Sequence, residues 1–346
     1  MNPTRRTFLA GVSALALAPA VAACGEATTD VSGGKAGPTE ENAFPATVTH
    51  KYGETTVEKA PSRVVCVGLV EQDALLALGI VPVGVTGWFG DAPGFIFPWA
   101  KDKLGDAELP TVLSDTNGVQ IEKIAKLQPD LIIGQYAGIT EKDYELLSEL
   151  APTVAQSGEY ADYAMPWDES TLNIGTAVGQ PKAAQQLVDD VTAQIEKAAS
   201  DHPEFAGKTA AVVTPYEGLF IYGPEDMRGR MLQQLGFDYP ETLLAERTDE
   251  FGWSVSSERT TDLDQVDVVV WLDYAATDDG TKALFEQTAT YDEGRFFDIS
   301  DKDGDYYVAH SFVTPLSIPY VLERYLPQLA AAVDGDPSTE PPPAAA

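Results

Sequence analysis

Histidine and cysteine are scarce in this chain, with three His and two Cys in 346 residues. Two cysteines cannot build a disulfide scaffold. Three histidines far apart in sequence, His50, His202 and His310, do not make a multi-histidine zinc site. Basic residues are few as well: 22 Lys plus Arg stand against 54 Asp plus Glu, a formal charge of -32. Phosphate neutralisation needs a basic face, so nucleic-acid binding is excluded. Catalytic signatures are also missing. There is no G-x-S-x-G elbow, no phosphate loop, no G-x-G-x-x-G after a strand and no H-E-x-x-H, and no histidine is paired with a nucleophile. The chain reads as a binding protein rather than an enzyme.

What is present is ordinary globular material, 44% hydrophobic and 9% aromatic, at a length that suggests two lobes. Residues 1–23 differ from the rest. Thr4-Arg5-Arg6-Thr7-Phe8-Leu9 precedes an almost uncharged Ala/Leu/Val run to Ala23, the charged-then-apolar pattern of an export signal. The run falls short of the roughly 20 residues needed to span a bilayer. Arg5-Arg6 followed by Phe8-Leu9 looks like a twin-arginine signal. Val21-Ala22-Ala23-Cys24 resembles the bacterial lipobox, which implies that Cys24 becomes the lipidated first residue of a protein anchored on the extracytoplasmic face of the cell membrane. Cleavage there removes Arg5 and Arg6 and no acid, taking the charge from -32 to -34. Cys66, set in Val64-Val65-Cys66-Val67, is then expected to be a buried, unpaired thiol. Residues 24–43 read as a flexible tether holding the folded part roughly 25 Å from its anchor. Residues 334–346, with three consecutive prolines, read as a disordered tail.

Between these ends one pattern occurs twice. Strand Val64 to Val67 leads to a helix ending Leu75-Leu76-Ala77-Leu78-Gly79 and a second strand, Val81 to Val85; strand Ala210 to Thr214 leads to a helix ending Leu232-Gln233-Gln234-Leu235-Gly236. Each Leu-x-x-Leu-Gly puts two leucines on one helix face and a glycine at the C-cap. A short helix Ile121 to Leu127 precedes strand Leu131 to Ile133, and a helix opening at Ser257 precedes strand Val268 to Trp271. Alternating strands and helices mean mainly parallel sheets. The expected architecture is α/β, with an N-terminal lobe over 44–166, a helical segment over 167–203 and a C-terminal lobe over 204–333. Within that segment, Leu187, Val191 and Ile195 recur at helical spacing after Pro181 and before Asp201-His202-Pro203. About 20 residues at 1.5 Å make a helix of roughly 30 Å, long enough to join the lobes and stiff enough to limit closure to small amplitude. Asp301-Lys302-Asp303-Gly304-Asp305 lacks the glycine position and closing Glu of a calcium loop. It is expected to be a hairpin turn between Phe296 to Ile299 and Tyr306 to Ala309.

Ligands in open α/β sheets bind at the carboxyl ends of strands, and the segments after these strands are full of rings. Trp88, Phe89, Phe95, Phe97 and Trp99 follow Val85; Tyr136 follows Ile133; Tyr216, Phe220 and Tyr222 follow Thr214; Tyr274 follows Trp271, and Trp253 precedes Ser257. Two lobes facing across such rings would form an apolar cleft with polar tips. The candidate contact residues are Trp88, Phe89, Trp99, Tyr136, Tyr216, Tyr222, Trp253 and Tyr274. Arg228 and Arg230, at the start of a helix, are candidates to donate to ligand oxygens.

The order of lipobox, Arg63-Val64-Val65, Leu75-Leu76-Ala77-Leu78-Gly79, Pro82-Val83-Gly84-Val85, Ile121-Glu122-Lys123-Ile124, Pro129-Asp130-Leu131-Ile132-Ile133-Gly134 and Ser256-Ser257-Glu258 resembles the ferric-siderophore-binding lipoproteins of ABC importers, a helix-linked class of periplasmic binding proteins. The resemblance runs from Ala60 to Val333. It implies two lobes joined by a single long helix, a ferric siderophore as ligand, no cofactor or protein metal ligand, a monomer, and an ABC permease as partner. It further implies that Glu122 and Glu258 dock the two lobes on that permease. Tyr136 matches a ligand-contacting position of the family, and so does Trp253. Some members carry an arginine just before the Ile-Glu-Lys-Ile segment; Ser114 to Gln120 contains none. That absence and the strong negative charge favour a neutral or cationic ferric hydroxamate over a triply anionic catecholate. Haem, with Tyr136 or His310 as ligand, and cobalamin are the nearest alternatives. An adhesion or structural lipoprotein on the same fold is a further one.

Overall fold

A computed structural model describes residues 35–343 except 89, 115–117, 217, 246, 250, 302 and 340, all within the compact unit Gly33–Ala346. The signal segment, Cys24 and Phe89 lie outside the described residues. The chain begins with a hairpin, β1 (Ala46–His50) and β2 (Gly53–Val57). The first lobe follows as β3 (Val64–Cys66), α1 (Glu71–Ala77), β4 (Gly84–Gly87), α2 (Lys101–Leu104), β5 (Thr111–Ser114), α3 (Ile121–Lys126), β6 (Leu131–Ile133), α4 (Glu141–Ser148) and β7 (Thr153–Val154). Two helices, α5 (Trp167–Ala177) and α6 (Pro181–Asp201), lead to the second lobe. There the order is β8 (Ala210–Thr214), β9 (Leu219–Tyr222), α7 (Met227–Gln234), α8 (Glu241–Leu244), β10 (Gly252–Val255), β11 (Val268–Leu272), α9 (Asp279–Phe285), α10 (Ala289–Asp292), β12 (Phe296–Ile299), α11 (Asp305–Phe312) and α12 (Ser317–Val333).

The two main sheets have matching strand orders, β5-β4-β3-β6-β7 and β10-β9-β8-β11-β12. The first is parallel throughout. In the second, β9 runs antiparallel to both neighbours, because β8 turns directly into β9 before the helix begins. The first lobe's second strand is Gly84–Gly87 rather than Val81 to Val85. Central strands are buried on both faces, as parallel strands between helix layers require, which is why β3, β6 and β11 are continuous apolar runs. Alternation along them divides the molecule into packing layers. Val64, Cys66, Leu131 and Ile133 join Val212, Val268, Val270 and Leu272 in a core shared with α1, α6 and α12. Val65 and Ile132 face a separate cluster of the first lobe, and Val213, Val269 and Trp271 face one of the second. Cys66 is free and buried, and burial pushes its thiol pKa up.

The repeated Leu-x-x-Leu-Gly segments close their helices alike. Gly79 and Gly236 take positive φ (75° and 105°), and the following N–H groups return to equivalent carbonyls, Ile80 to Leu75 (2.8 Å) and Phe237 to Leu232 (3.1 Å). The linking helix α6 is 21 residues, about 30 Å, with Ala184, Val188, Val191, Ile195 and Ala198 as its buried stripe. The arm before the first lobe is docked rather than loose in its described part: Glu40 accepts from the Lys182 (2.7 Å) and Ala183 (3.0 Å) N–H groups, capping α6. The described part of the C-terminal tail likewise folds back, with Gln328 donating to the Pro342 carbonyl (3.0 Å).

One local expectation is overturned. Residues after β12 do not return as a hairpin strand but form α11. Gly304 takes φ 78° and Asp301 accepts the Tyr306 N–H (3.0 Å), starting a helix that buries Tyr306, Ala309 and His310 on one side.

Besides α6, a second contact joins the lobes. Phe312 of α11 lies against Trp88 (6.0 Å, stacked) and Phe97 (5.5 Å, edge-on). Asp73 of α1 accepts the Trp99 indole N–H (2.7 Å) and the Thr314 hydroxyl. No helix among the described residues is long and apolar enough to cross a membrane.

Candidate functional site

The site is built where the first turns of the two repeated helices meet the ends of the strands. In the second lobe Asp226 caps α7 by accepting the Arg228 backbone N–H (2.9 Å). Its Oδ1 also lies 3.3 Å from Arg228 Nε, and both side chains are withdrawn from water, Asp226 0% and Arg228 2% exposed. The Arg228 guanidinium lies 3.9 Å from the Tyr222 ring centre and 5.8 Å from that of Phe251, and Nη1 donates to the Ser311 carbonyl (3.4 Å). Burial works most strongly against the guanidinium charge, but Asp226 together with the phenols of Tyr222, Tyr136 and Tyr307 outweighs it and holds the pKa above its ordinary value. Burial raises the Asp226 carboxyl, with Arg228 opposing.

The first lobe brings Tyr136, from the turn after β6, into the field of this pair: its phenol is pushed up by burial and by Asp226 and pulled down by Arg228. Tyr136 is buried, edge-on to Tyr163 (5.7 Å), and its hydroxyl has no hydrogen-bond partner among the described residues. Glu71 holds the turn in place. One carboxylate oxygen accepts the Gln135 (2.6 Å) and Tyr136 (2.8 Å) N–H groups, the other that of Val70 (3.1 Å). The sequence analysis did not select Glu71. Counted back from the two Leu-x-x-Leu-Gly segments, however, Glu71 and Arg228 occupy the same place in the repeat, an acid in one lobe and a base in the other.

Burial lifts the Glu71 carboxyl to about 7 despite those N–H groups, and the Asp73 carboxyl to about 6. The folded state thus binds protons that the unfolded chain releases near its ordinary values of 4.5 and 3.8. Stability is therefore expected to be greatest at the acidic end of this window and to fall as pH rises towards 7, by roughly 3 kcal/mol for Glu71. In Glu71→Gln, urea unfolding at pH 5 and pH 8 should differ by less than half the wild-type difference.

The remaining candidates divide. Tyr222 lies under Arg228, and half-buried Trp88 stacks on Phe312, so both stand at the lobe junction. Tyr216 is 60% exposed in the turn before β9, edge-on to Phe220 (6.4 Å). Arg230 turns to another groove of about 460 Å³, where its guanidinium lies 5.7 Å from the Tyr160 ring centre and its Nε donates to the Glu225 carbonyl (2.7 Å). Trp99 is engaged by Asp73 and stacks on Phe97 (4.9 Å) in its own lobe, and its ring meets Phe312 (6.3 Å) and Tyr320 (5.5 Å) of the second, which makes it a brace between lobes. Trp253, 2% exposed, is corrected to a core position, and half-buried Tyr274 lies at the edge of the same cluster. Trp253 pairs across the ladder with Ile221 and shares its face of the sheet, inside the second lobe's own cluster, while Tyr274 packs on Trp271 (5.1 Å) at its edge.

A cavity of about 290 Å³ opens over the first lobe's strand ends, lined by Thr86, Ser114, Gln120, Thr140 and Tyr163 among others. Glu122, after edge strand β5, and Glu258, after the equivalent edge strand β10, are both exposed in the first turn of a helix. β10 runs parallel to β8, so the two glutamates follow the carboxyl ends of matching strands. His310 is fully buried against Tyr325 (4.9 Å), its pKa lowered to about 3 by burial and by Arg228. No group of three His, Cys, Asp or Glu is placed to hold a metal ion among the described residues.

Two like-ordered α/β lobes linked by a long helix, with polar and aromatic residues from each meeting between them, define a helix-linked solute-binding protein. The chain belongs to the periplasmic binding protein family, which matches residues 64–297. It is 30% identical over 239 residues to the probable siderophore-binding lipoprotein YfiY of Bacillus subtilis (strain 168), covering 66% of this chain and 69% of that protein. Among solved structures, a periplasmic solute binding protein from Mycobacterium smegmatis is 34% identical with a TM-score of 0.71, covering 83% of this chain and 98% of the other. PiaA from Streptococcus pneumoniae, in complex with ferrichrome, is 27% identical with a TM-score of 0.71, covering 84% and 99%.

Proposed function

We propose that this protein is a lipoprotein, exported by a twin-arginine signal and anchored through Cys24, that captures a ferric siderophore outside the cytoplasm and hands it to an ABC permease. The observation that carries the reading is that Glu71 and Tyr136 of one lobe line a cavity with Met227 of the other, beside Arg228 stacked on the Tyr222 ring. A siderophore already satisfies its iron, so the protein supplies ring faces and donors to chelate oxygens rather than metal ligands. Tyr136, Tyr222 and Trp88 are the contact surfaces at the junction, Arg228 orients the oxygens, and Tyr216 extends the rim. A hydroxamate-type chelate suits a chain of charge -32 and a first lobe with no arginine between Ser114 and Gln120. Glu122 and Glu258 supply matched acidic points, one per lobe, for basic residues of the permease.

Tryptophan fluorescence titrated with ferric hydroxamates, ferric catecholates, haem and cobalamin, each beside its iron-free or apo form, tests the reading. Saturable quenching by a ferric hydroxamate is expected; quenching by haem with silence from every siderophore would overturn it. E122K/E258K should bind the same chelate unchanged and fail to support iron uptake in cells.

A further inference from the structure

The pair at the head of α7 is an arginine that does not stand alone. Arg228 Nε and Asp226 Oδ1 are 3.3 Å apart with both side chains out of water, and Asp226 Oδ2 has no hydrogen-bond partner among the described residues. Burial raises the phenols of Tyr136, Tyr222 and Tyr307 that share this field above their ordinary range, so they carry no charge near neutral pH. Arg230 is occupied at Glu225 and Tyr160 in the neighbouring groove. The pair therefore places two opposite charges at the junction of the lobes, and they cancel.

We infer that Asp226 sets the charge class of chelate this site accepts: by neutralising Arg228 it lets guanidinium N–H groups orient the oxygens of an uncharged or cationic chelate, and it turns away anionic ones. The inference rests on the ferric-siderophore reading. A buried arginine without a counter-ion is a receptor for an anion, because the ligand's charge then replaces solvation that the arginine has lost. With Asp226 beside it, an anion arriving at Arg228 also meets a carboxylate in a poorly screened setting. The cap role does not account for the charge. Asparagine and serine cap helices about as well as aspartate, so the carboxylate is dispensable for starting α7.

Affinities for ferrichrome (neutral), ferrioxamine B (cationic) and a ferric tris-catecholate (triply anionic) test this in wild type, Asp226→Asn and Asp226→Ser. Wild type should favour the first two. Both variants should move the ratio of catecholate to ferrichrome affinity towards the anion by at least about tenfold. D226N/R228Q, which leaves neither charge without its partner, should return the ratio to near the wild-type value. A ratio unchanged in D226N and D226S, with ferrichrome still bound, would overturn the inference and leave the siderophore reading standing. Silence from every ferric chelate in wild type would overturn both.

Discussion

Arg228→Ala should cost about 3–5 kcal/mol of folding stability at neutral pH, because it strands the buried Asp226 carboxylate without its counter-ion. The guanidinium's contacts with Tyr222, Phe251 and the Ser311 carbonyl are lost at the same time. The loss has a pH signature. Burial already raises the Asp226 carboxyl with Arg228 present, and without Arg228 it should rise further, so the stranded group takes up a proton in mild acid. The penalty should therefore shrink between pH 7 and pH 5, read as the difference in urea midpoint between variant and wild type. Chelate binding should weaken with it. Removing charged donors to ligand oxygens costs about 2–3 kcal/mol, a loss of about 30- to 150-fold in affinity. Arg228→Lys keeps the charge but not the flat guanidinium stacked on Tyr222, and should recover stability more than affinity. An R228A protein as stable as wild type at pH 7 would remove the pair from the account of the site.

Trp253→Ala should produce a loss of similar size with the opposite functional consequence. The indole is 2% exposed within a cluster that includes Leu219, Ile221 and Trp271, so truncation opens a large cavity. A cost of about 3–5 kcal/mol follows, seen as a fall in Tm of roughly 10 °C. Affinity for the chelate should stay within about twofold of wild type, since well-separated sites act independently. Trp253→Phe, which keeps most of the volume, should retain both stability and the quenching response. Loss of affinity in W253F at unchanged Tm would return Trp253 to the ligand surface and refute its placement in the core.

These two residues mark where sequence reading succeeded and where it stopped. Arg228 was visible as a scarce basic residue at a helix start, but its partnership with Asp226 and its position over Tyr222 were not. Trp253 follows the same logic of rings near strand ends and yet faces the other side of the sheet. Side chains alternate along a strand, so a displacement of one residue exchanges core for cleft, and an aromatic run carries no mark of its parity. Tyr222 and Trp253 sit on neighbouring strands with opposite outcomes for that reason. The hairpin expected after Ile299 failed on a similar ambiguity. Tyr306 to Ala309 is short and apolar enough for a strand, and a positive-φ glycine with an upstream aspartate accepting the Tyr306 N–H turned it into a helix.

By its own order of residues, the chain determined the elements that local physics can settle. These are the apolar strands buried on both faces, the 21-residue linking helix with its proline start, the glycine-closed helices of the repeat and the scarcity of metal ligands. The tertiary structure alone decided which charges meet. Glu71 grips the turn carrying Tyr136 from 64 and 65 positions away, and Asp73 reaches Thr314 across 241. Such pairings depend on how helices from two lobes are packed face to face. That packing is fixed by the shared core as a whole, which no short window of sequence contains.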